Sequence, residues 1–312
     1  MSHSAILLIA LAILAHLVAD FVLQTDAIAE AKAAPDGRAW RGLGIHAGIV
    51  GVCLLPFVAA YGARGLGYLL VVSIAHLLID RAKVVLNRRA VAASSPVPAQ
   101  PFAPGAGAGA AAGAAPVEPA PADPAIAAVD ADAPGERSWT PIPAVLFLAD
   151  QAAHFVVLIM GASVLLLGQP TLTAWKDAVH ALGPHLLPVA HQDAGLIAIV
   201  VLLDLAIVNV RGGFFLIGTL LAPRGFSAGT TPGPERVGAT IGVLERLIVC
   251  VLVLAGQSAA IGFVIAAKTL ARFRQLDDRH FAEYYLVGTL ASVTLALATS
   301  LVAGAAIDAA LH

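Results

Sequence analysis

Histidine and aspartate residues recur four positions apart inside apolar segments of this chain. The pairs are His16–Asp20, His76–Asp80 and, in the reverse order, Asp150–His154, and a further histidine in an apolar segment is His46. A four-residue spacing places both side chains of a pair on one face of a helix. Imidazole and carboxylate groups are ligands of Zn²⁺, Fe²⁺ and Mn²⁺, and a carboxylate beside a metal can act as a general base. The pattern therefore points to metal or proton chemistry.

The composition indicates that these residues lie in a membrane protein. Of 312 residues, 59% are hydrophobic and only 12% are charged, whereas soluble domains carry about 25% charged residues. The net charge of −2 and the absence of a basic patch give no indication of nucleic-acid binding. We therefore expect the lipid bilayer to be the main partner, and the composition leaves homo-oligomer formation open.

The apolar segments predict an all-α, polytopic transmembrane helical bundle of about eight spans, since one crossing needs roughly 20 apolar residues. The predicted spans lie at about 4–24, 43–61, 66–87, 142–168, 194–210, 238–256, 258–272 and 284–306. Residues 238–272 fit either two spans or one helix broken near Gly256 and Gln257. Lysine and arginine are alternately abundant and scarce in successive loops. This alternation predicts a multi-pass membrane protein with both termini outside.

The chain divides into three regions by composition. Residues 1–89 contain the first transmembrane helices with their His/Asp motifs, and residues 138–312 contain the second helical region. Between them, residues 90–137 are rich in Ala, Pro and Gly. Such a segment cannot bury a core, so it is predicted to be a disordered linker on the cytoplasmic side.

The predicted orientation brings the His/Asp motifs to one depth. At a rise of about 1.5 Å per residue, the motifs of the first four spans fall in one layer of the cytoplasmic leaflet. Three explanations remain open for this layer. The pairs could hydrogen-bond within their own helices, bind one or two divalent metals as in helical bundles, or form a proton or cation pathway.

The metal hypothesis assigns a role to each polar residue. Zn²⁺ fits the ligand types best, with Fe²⁺ or Mn²⁺ as alternatives. The predicted ligands are His16, Asp20, His46, His76, Asp80, Asp150 and His154, of which Asp20, Asp80 and Asp150 could also serve as general base. Predicted supporting or substrate-binding residues are Gln24, Lys83, Gln151, Glu245 and Arg246. Glu245 and Arg246 could instead form a structural ion pair, or Arg246 could hold an anionic headgroup.

Three motifs of the chain resemble a known family. These are "HLVADFVLQTD", followed by "AEAK", then "HLLIDRAK" and "FLADQAAHF". They resemble the bacterial inner-membrane family catalogued as domain of unknown function 3307, for which no activity is established. More distantly, the chain resembles membrane-bound metal-dependent hydrolases, which also place His and Asp on apolar helices. That resemblance implies that the seven His and Asp residues named above are metal-site positions.

The predicted function is metal-dependent hydrolysis of a lipid or amphipathic substrate near the cytoplasmic face. A bound metal would lower the pKa of water and polarise the substrate. Two alternatives remain: a transporter of divalent cations or protons, and a structural or regulatory membrane protein without catalysis. A transporter needs a polar route to the outer face, and the outer halves of the first four spans contain almost no ionisable residue.

Overall fold

The computed structural model describes residues 2–94, 141–177, 181, 193–221 and 235–312. Within these ranges the chain is almost entirely helical and contains no strand. The main α-helices are α1 (His3–Leu17), α2 (Asp26–Ala33), α3 (Arg38–Tyr61), α4 (Ala63–Ser94), α5 (Ile142–Leu165), α6 (Asp193–Ile207), α7 (Gly213–Leu221), α8 (Glu235–Leu254), α9 (Ile261–Ala271) and α10 (Arg279–Leu311). Two π-helical segments, Val18–Leu23 and Val208–Gly212, extend α1 and connect α6 to α7.

Five helical stretches are long and apolar enough to cross a membrane. They are His3–Leu23, Arg38–Tyr61, Ile142–Leu165, Ala194–Leu221 and Phe281–Leu311. The prediction of an all-α membrane protein is confirmed at this level. The three other predicted spans correspond to α4, α8 and α9. Helix α4 contains several charged side chains, and α9 has only 11 residues, so a count of about eight spans stays a prediction.

The structure refines three predicted boundaries. The fifth predicted span, 194–210, is longer than predicted, because the π turn lets the helix continue to Leu221. The break near Gly256 is present: Gly256 has φ +71°, and its N–H donates to Val253 O at 3.0 Å. Helix α4 continues to Ser94, and the rest of the predicted linker, 95–137, lies outside the described residues.

Two hydrophobic cores share α1. On one side, Leu8 and Ala12 pack with α3, α4 and α5, and on the other, Ile6 and Ala10 pack with α6, α8 and α10. The two alanines let the neighbouring helices approach closely, which favours helix association in a membrane. Tyr68 is fully buried on α4 and donates its hydroxyl to Leu158 O of α5 at 3.3 Å. Helix α1 is thus held at the centre of the bundle.

The turn between α3 and α4 sets two histidines at the same depth. The only residue between these helices is Gly62, with φ +60°, a conformation that glycine adopts at little cost. His46 precedes this turn and His76 follows it by similar numbers of residues, so both lie about 20–25 Å from it along antiparallel helices. Their meeting is therefore a consequence of a tight hairpin.

Candidate metal centre

Three side chains from three helical segments converge on one point. The Nε2 atoms of His46 and His76 are 2.9 Å apart. Oδ1 of Asp20 lies 3.2 Å from Nε2 of His46 and 3.3 Å from Nε2 of His76. His46 and His76 are 0% and 1% exposed, and the Asp20 side chain is 10% exposed. The result is a buried triangle of two nitrogens and one carboxylate oxygen.

The edges of this triangle match those of a metal coordination sphere. Ligand atoms about 2.0–2.1 Å from one ion are roughly 2.8–3.0 Å apart in octahedral geometry and roughly 3.3–3.4 Å apart in tetrahedral geometry. The observed edges of 2.9, 3.2 and 3.3 Å fall in this range. Two histidines and one carboxylate on one triangular face are a recurrent ligand set for Zn²⁺ and Fe²⁺. The donor set therefore fits a divalent ion.

Further ligands surround the triangle. Oδ2 of Asp80 lies 3.7 Å from Nε2 of His46 and 3.6 Å from Nε2 of His76. Nδ1 of His16 lies 3.8 Å from Oδ1 of Asp20. Three groups have ligand atoms within 4.8 Å of one another: His16, Asp20 and His154; Asp20, His46 and His76; and His76, Asp80 and His154. Because Asp20 belongs to two of these groups, the cluster offers room for one or two ions.

The tautomers of two histidines leave lone pairs directed to the cluster. Nδ1 of His154 lies 2.9 Å from Asp150 O, which can only accept, so Nδ1 carries the proton. Its Nε2, buried and without a hydrogen bond, then has a free lone pair. Nε2 of His16 faces Oε1 of Gln151 at 3.4 Å, which leaves Nδ1 of His16 facing Asp20. A histidine held through its second nitrogen in this way is typical of metal ligands.

The Nδ1 atoms of His46 and His76 have no such support. Both are buried and lack a hydrogen-bond partner among the described residues. Their rings are held by packing instead: the His76 ring centroid lies 4.1 Å from that of His154 and 4.9 Å from that of His46. Contacts between rings thus orient these two imidazoles.

Asp20 lies in the π-helical extension of α1. The segment Val18–Leu23 has the wider π geometry, and its last residue is followed by the extended Gln24. A π turn accommodates one more residue than an α turn and is frequent at functional sites. The carboxylate of Asp20 contacts His46 and His76 as well as His16, one turn earlier on its own helix.

Two lysines neutralise two of the three aspartates. Lys32 Nζ lies 2.6 Å from Oδ2 of Asp80 and donates to Oε1 of Gln24 at 2.8 Å. Lys83 Nζ lies 2.7 Å from Oδ2 of Asp150. Asp20 has no lysine or arginine partner within the part of the chain that the structure describes. With neutral histidines, three carboxylates and two ammonium groups leave a net charge of −1, which needs a cation because the cluster is buried.

Asp150 lies beside the ligand set. Its Oδ2 accepts from Lys83 and from Nε2 of Gln151 at 3.1 Å, and its Oδ1 is buried without a hydrogen-bond partner. Asp150 belongs to none of the groups that bring three ligand atoms together. Of the seven predicted ligands, the structure therefore brings six into one cluster and places Asp150 next to them. Lys83 and Gln151 hydrogen-bond to Asp150, whereas Gln24 reaches the cluster through Lys32, which pairs with Asp80.

Lys32, which is only 8% exposed, contributes to the site although its sequence pattern did not single it out. It lies on the short helix α2, which packs on α3 over Gly42: a Cβ there would meet the Lys32 backbone N at 2.7 Å. Arg88 of α4 donates to the carbonyls of Ala33 and Ala34 and so holds the end of α2. The signal was the Thr25 N-cap followed by "DAIAEAK", which predicts a short helix ending in lysine.

Glu245 and Arg246 lie in a different cluster, formed with α9 and α10. They do not pair with each other: Glu245 pairs with Lys268 at 2.5 Å, and Arg246 bonds to Asn209 O and Ser292. The physical reason is that adjacent residues of a helix point about 100° apart. The contacts of both residues are with this second cluster, so the structure does not bring them to the His/Asp site.

Comparison with known proteins gives one match. No curated protein and no solved structure matches the chain. Residues 7–97 match the family described as protein of unknown function (DUF3307). The matched range contains His16, Asp20, His46, His76 and Asp80, whereas Asp150 and His154 lie outside it. The chain thus carries a DUF3307 region over residues 7–97, which confirms the family resemblance of its motifs.

Proposed function

We propose that this protein is a metal-dependent hydrolase of a lipid-like substrate, with its metal centre near the cytoplasmic face of a bacterial inner membrane. The observation that carries the proposal is the triangle of Asp20, His46 and His76, with edges of 2.9–3.3 Å in a buried site. Zn²⁺ suits this donor set best, with Fe²⁺ or Mn²⁺ as alternatives.

The charge of the cluster supports a divalent cation. Asp20 is the carboxylate without a lysine, and a divalent ion at the triangle would change the net charge of the cluster from −1 to +1. A remaining positive charge suits a substrate that brings an anionic or strongly polarised oxygen, such as a phosphate or an ester. A single extra proton on an imidazole would instead give a neutral cluster with no affinity for such a group.

The side chains around the triangle have distinct roles in the proposed reaction. A divalent ion, when bound, supplies Lewis acidity and lowers the pKa of water. Asp150 is the best candidate for general base, because its Oδ1 has no hydrogen-bond partner while Lys83 and Gln151 hold its Oδ2. Lys83, with 28% of its side chain exposed, lies where it could contact an anionic headgroup entering from the membrane interface.

Metal analysis of the purified full chain tests the metal centre. We expect close to one or two equivalents of divalent metal in the wild-type protein, and a clear loss in His76→Ala, because Nε2 of His76 is part of the triangle. The matched control is His312→Ala, since His312 is exposed at the end of the chain. A folded wild-type protein without stoichiometric metal would exclude the proposal.

Hydrolysis is tested separately. The protein would be reconstituted in vesicles of phosphatidylglycerol and diacylglycerol, and released glycerol phosphate and fatty acid would be measured with and without EDTA. We expect release that EDTA abolishes and that added Zn²⁺ or Mn²⁺ restores. Asp150→Asn should keep the metal and lower the rate by about 10²–10⁴-fold, the usual contribution of a general base. A protein that retains metal but hydrolyses neither lipid would refute the hydrolase and leave the metal centre standing.

A further inference from the structure

A second polar cluster lies between α8, α9 and α10, in the half of the chain that the His/Asp site does not use. At its centre, Arg246 of α8 is 4% exposed. Its Nε donates to Asn209 O of the second π segment at 2.6 Å, and its Nη1 donates to Oγ of Ser292 at 3.3 Å. A guanidinium has five N–H groups, so three donors remain beyond these two bonds.

Arg246 forms no ion pair with a carboxylate in the described part of the chain. None lies within 4.0 Å of its guanidinium there, and the adjacent Glu245 pairs with Lys268 instead. Glu245, Arg246 and Lys268 together leave a net charge of +1. A buried cation without a carboxylate is costly inside a membrane protein, and such residues mark binding sites or ion pathways.

A buried hydroxyl beside Arg246 also lacks a partner among the residues that the structure describes. Thr289 of α10 is 6% exposed, and within this part of the chain its Oγ1 has no hydrogen bond. Threonines in helices commonly donate to the carbonyl four residues earlier, as Thr269 does to Ile265 O and Thr299 does to Leu295 O, at 2.9 and 2.8 Å. Thr289 departs from this habit, which leaves its hydroxyl available to a ligand.

Arg246, Thr289 and Ser292 line one pocket. Lys268 and Glu245 line the same pocket, which is partly open to the surface. Gly213 provides space for the guanidinium, because a Cβ at this position would lie 2.6 Å from Nε of Arg246. The pocket therefore combines the buried guanidinium of Arg246, the unbonded hydroxyl of Thr289 and a second cation, the Lys268 ammonium group, which pairs with Glu245.

We propose that this pocket binds a phosphate group, either of a lipid headgroup or of a soluble phosphate. A guanidinium fork with adjacent hydroxyl donors matches phosphate oxygens, and one negative charge would neutralise the cluster. Arg246 supplies the charge, and Thr289 and Ser292 supply neutral donors. The site is independent of the metal centre, because its residues do not contact the His/Asp cluster.

The test uses the full chain purified in a neutral detergent. Binding of inorganic phosphate would be measured by calorimetry, and binding of phosphatidylglycerol by native mass spectrometry after titration. The decisive variant is Thr289→Val, which keeps the shape of the side chain and removes an unbonded buried hydroxyl. We expect it to bind about tenfold more weakly, as for one lost hydrogen bond to a charged group, while its thermal stability equals or exceeds that of the wild type.

Arg246→Gln should abolish binding of the same probe, with Arg274→Gln, which is exposed in the turn after α9, as the matched control. If Thr289→Val and Arg246→Gln bind only phosphatidylglycerol more weakly than the wild type does, the site is assigned to a lipid headgroup. If they bind inorganic phosphate more weakly, the site is assigned to a soluble ligand. If Thr289→Val, folded and stable, binds both probes as the wild type does, or if the wild type binds neither, the proposal is wrong.

Discussion

The charge of Asp20 makes a sharp prediction for the variant Asp20→Asn. In the wild-type cluster, Lys32 and Lys83 neutralise the other two aspartates, so the unpaired carboxylate is that of Asp20. The amide removes this charge and weakens one corner of the triangle. We therefore expect opposite effects in the two states of the protein: a much smaller stabilisation by metal, and no loss of stability when metal is absent.

The magnitudes follow from binding linkage. A metal present at 100 times its Kd stabilises the folded protein by about 2.7 kcal/mol. If losing the carboxylate weakens binding about 100-fold, as even indirect changes around a metal site can, the stabilisation at the same concentration falls to about 0.4 kcal/mol. At about 2–4 °C per kcal/mol, the metal-dependent rise in Tm should fall from roughly 5–10 °C to roughly 1 °C.

The stability of the metal-free protein distinguishes an uncompensated Asp20 from an Asp20 that is paired with a protonated imidazole. Without metal, Asp20→Asn removes a buried uncompensated charge, and we expect it to unfold at the same temperature as the wild type or higher. If a protonated imidazole compensated Asp20 instead, the variant would break a buried ion pair and lose about 3–5 kcal/mol.

The assay is thermal unfolding of the detergent-solubilised full chain, followed by circular dichroism after EDTA treatment and after addition of Zn²⁺. The exposed Asp308→Asn is the matched control and should respond like the wild type. A wild-type metal response in Asp20→Asn would refute the assignment of Asp20 as a ligand.

Three further changes test the elements that hold the site, each measured by thermal unfolding. Lys32→Met leaves the buried carboxylate of Asp80 unpaired and should lower the free energy of unfolding by about 3–5 kcal/mol. Adding Asp80→Asn should recover most of this loss. A loss below about 1 kcal/mol in Lys32→Met would argue against the ion pair. Gly42→Ala places a Cβ 2.7 Å from the Lys32 backbone N, so it should lower the free energy of unfolding by about 1–3 kcal/mol. The control Gly44→Ala meets nothing within 4 Å and should be neutral or stabilising by up to about 1 kcal/mol. Equal effects of the two substitutions would contradict the close approach of α2 to α3. Gly256→Ala has free space but φ +71°, so it should cost about 1–2 kcal/mol from backbone strain alone, and an unchanged Tm would show that the turn after α8 rearranges freely.

The chemistry of the site could be predicted from local patterns. The i, i+4 spacing of His16 with Asp20 and of His76 with Asp80 requires only a helix, and helices follow from the apolar composition. The common depth of His46 and His76 follows from their similar distances to Gly62, which is visible in the sequence once a tight turn is placed there. These are short-range properties, so neighbouring residues are sufficient to determine them.

Only the tertiary structure determined which charged side chains form ion pairs with each other. Asp20, Asp80 and Asp150 each lie four residues from a histidine, yet among the described residues only Asp20 lacks a lysine partner, because Lys32 reaches Asp80 from α2 and Lys83 reaches Asp150 from the neighbouring helix α4. Likewise, Glu245 and Arg246 are neighbours in sequence but contact different partners. Such pairings depend on the rotation and separation of packed helices, and these are set by residues far apart in the sequence, including Gly42 and Gly213, where the absence of a side chain allows close contact.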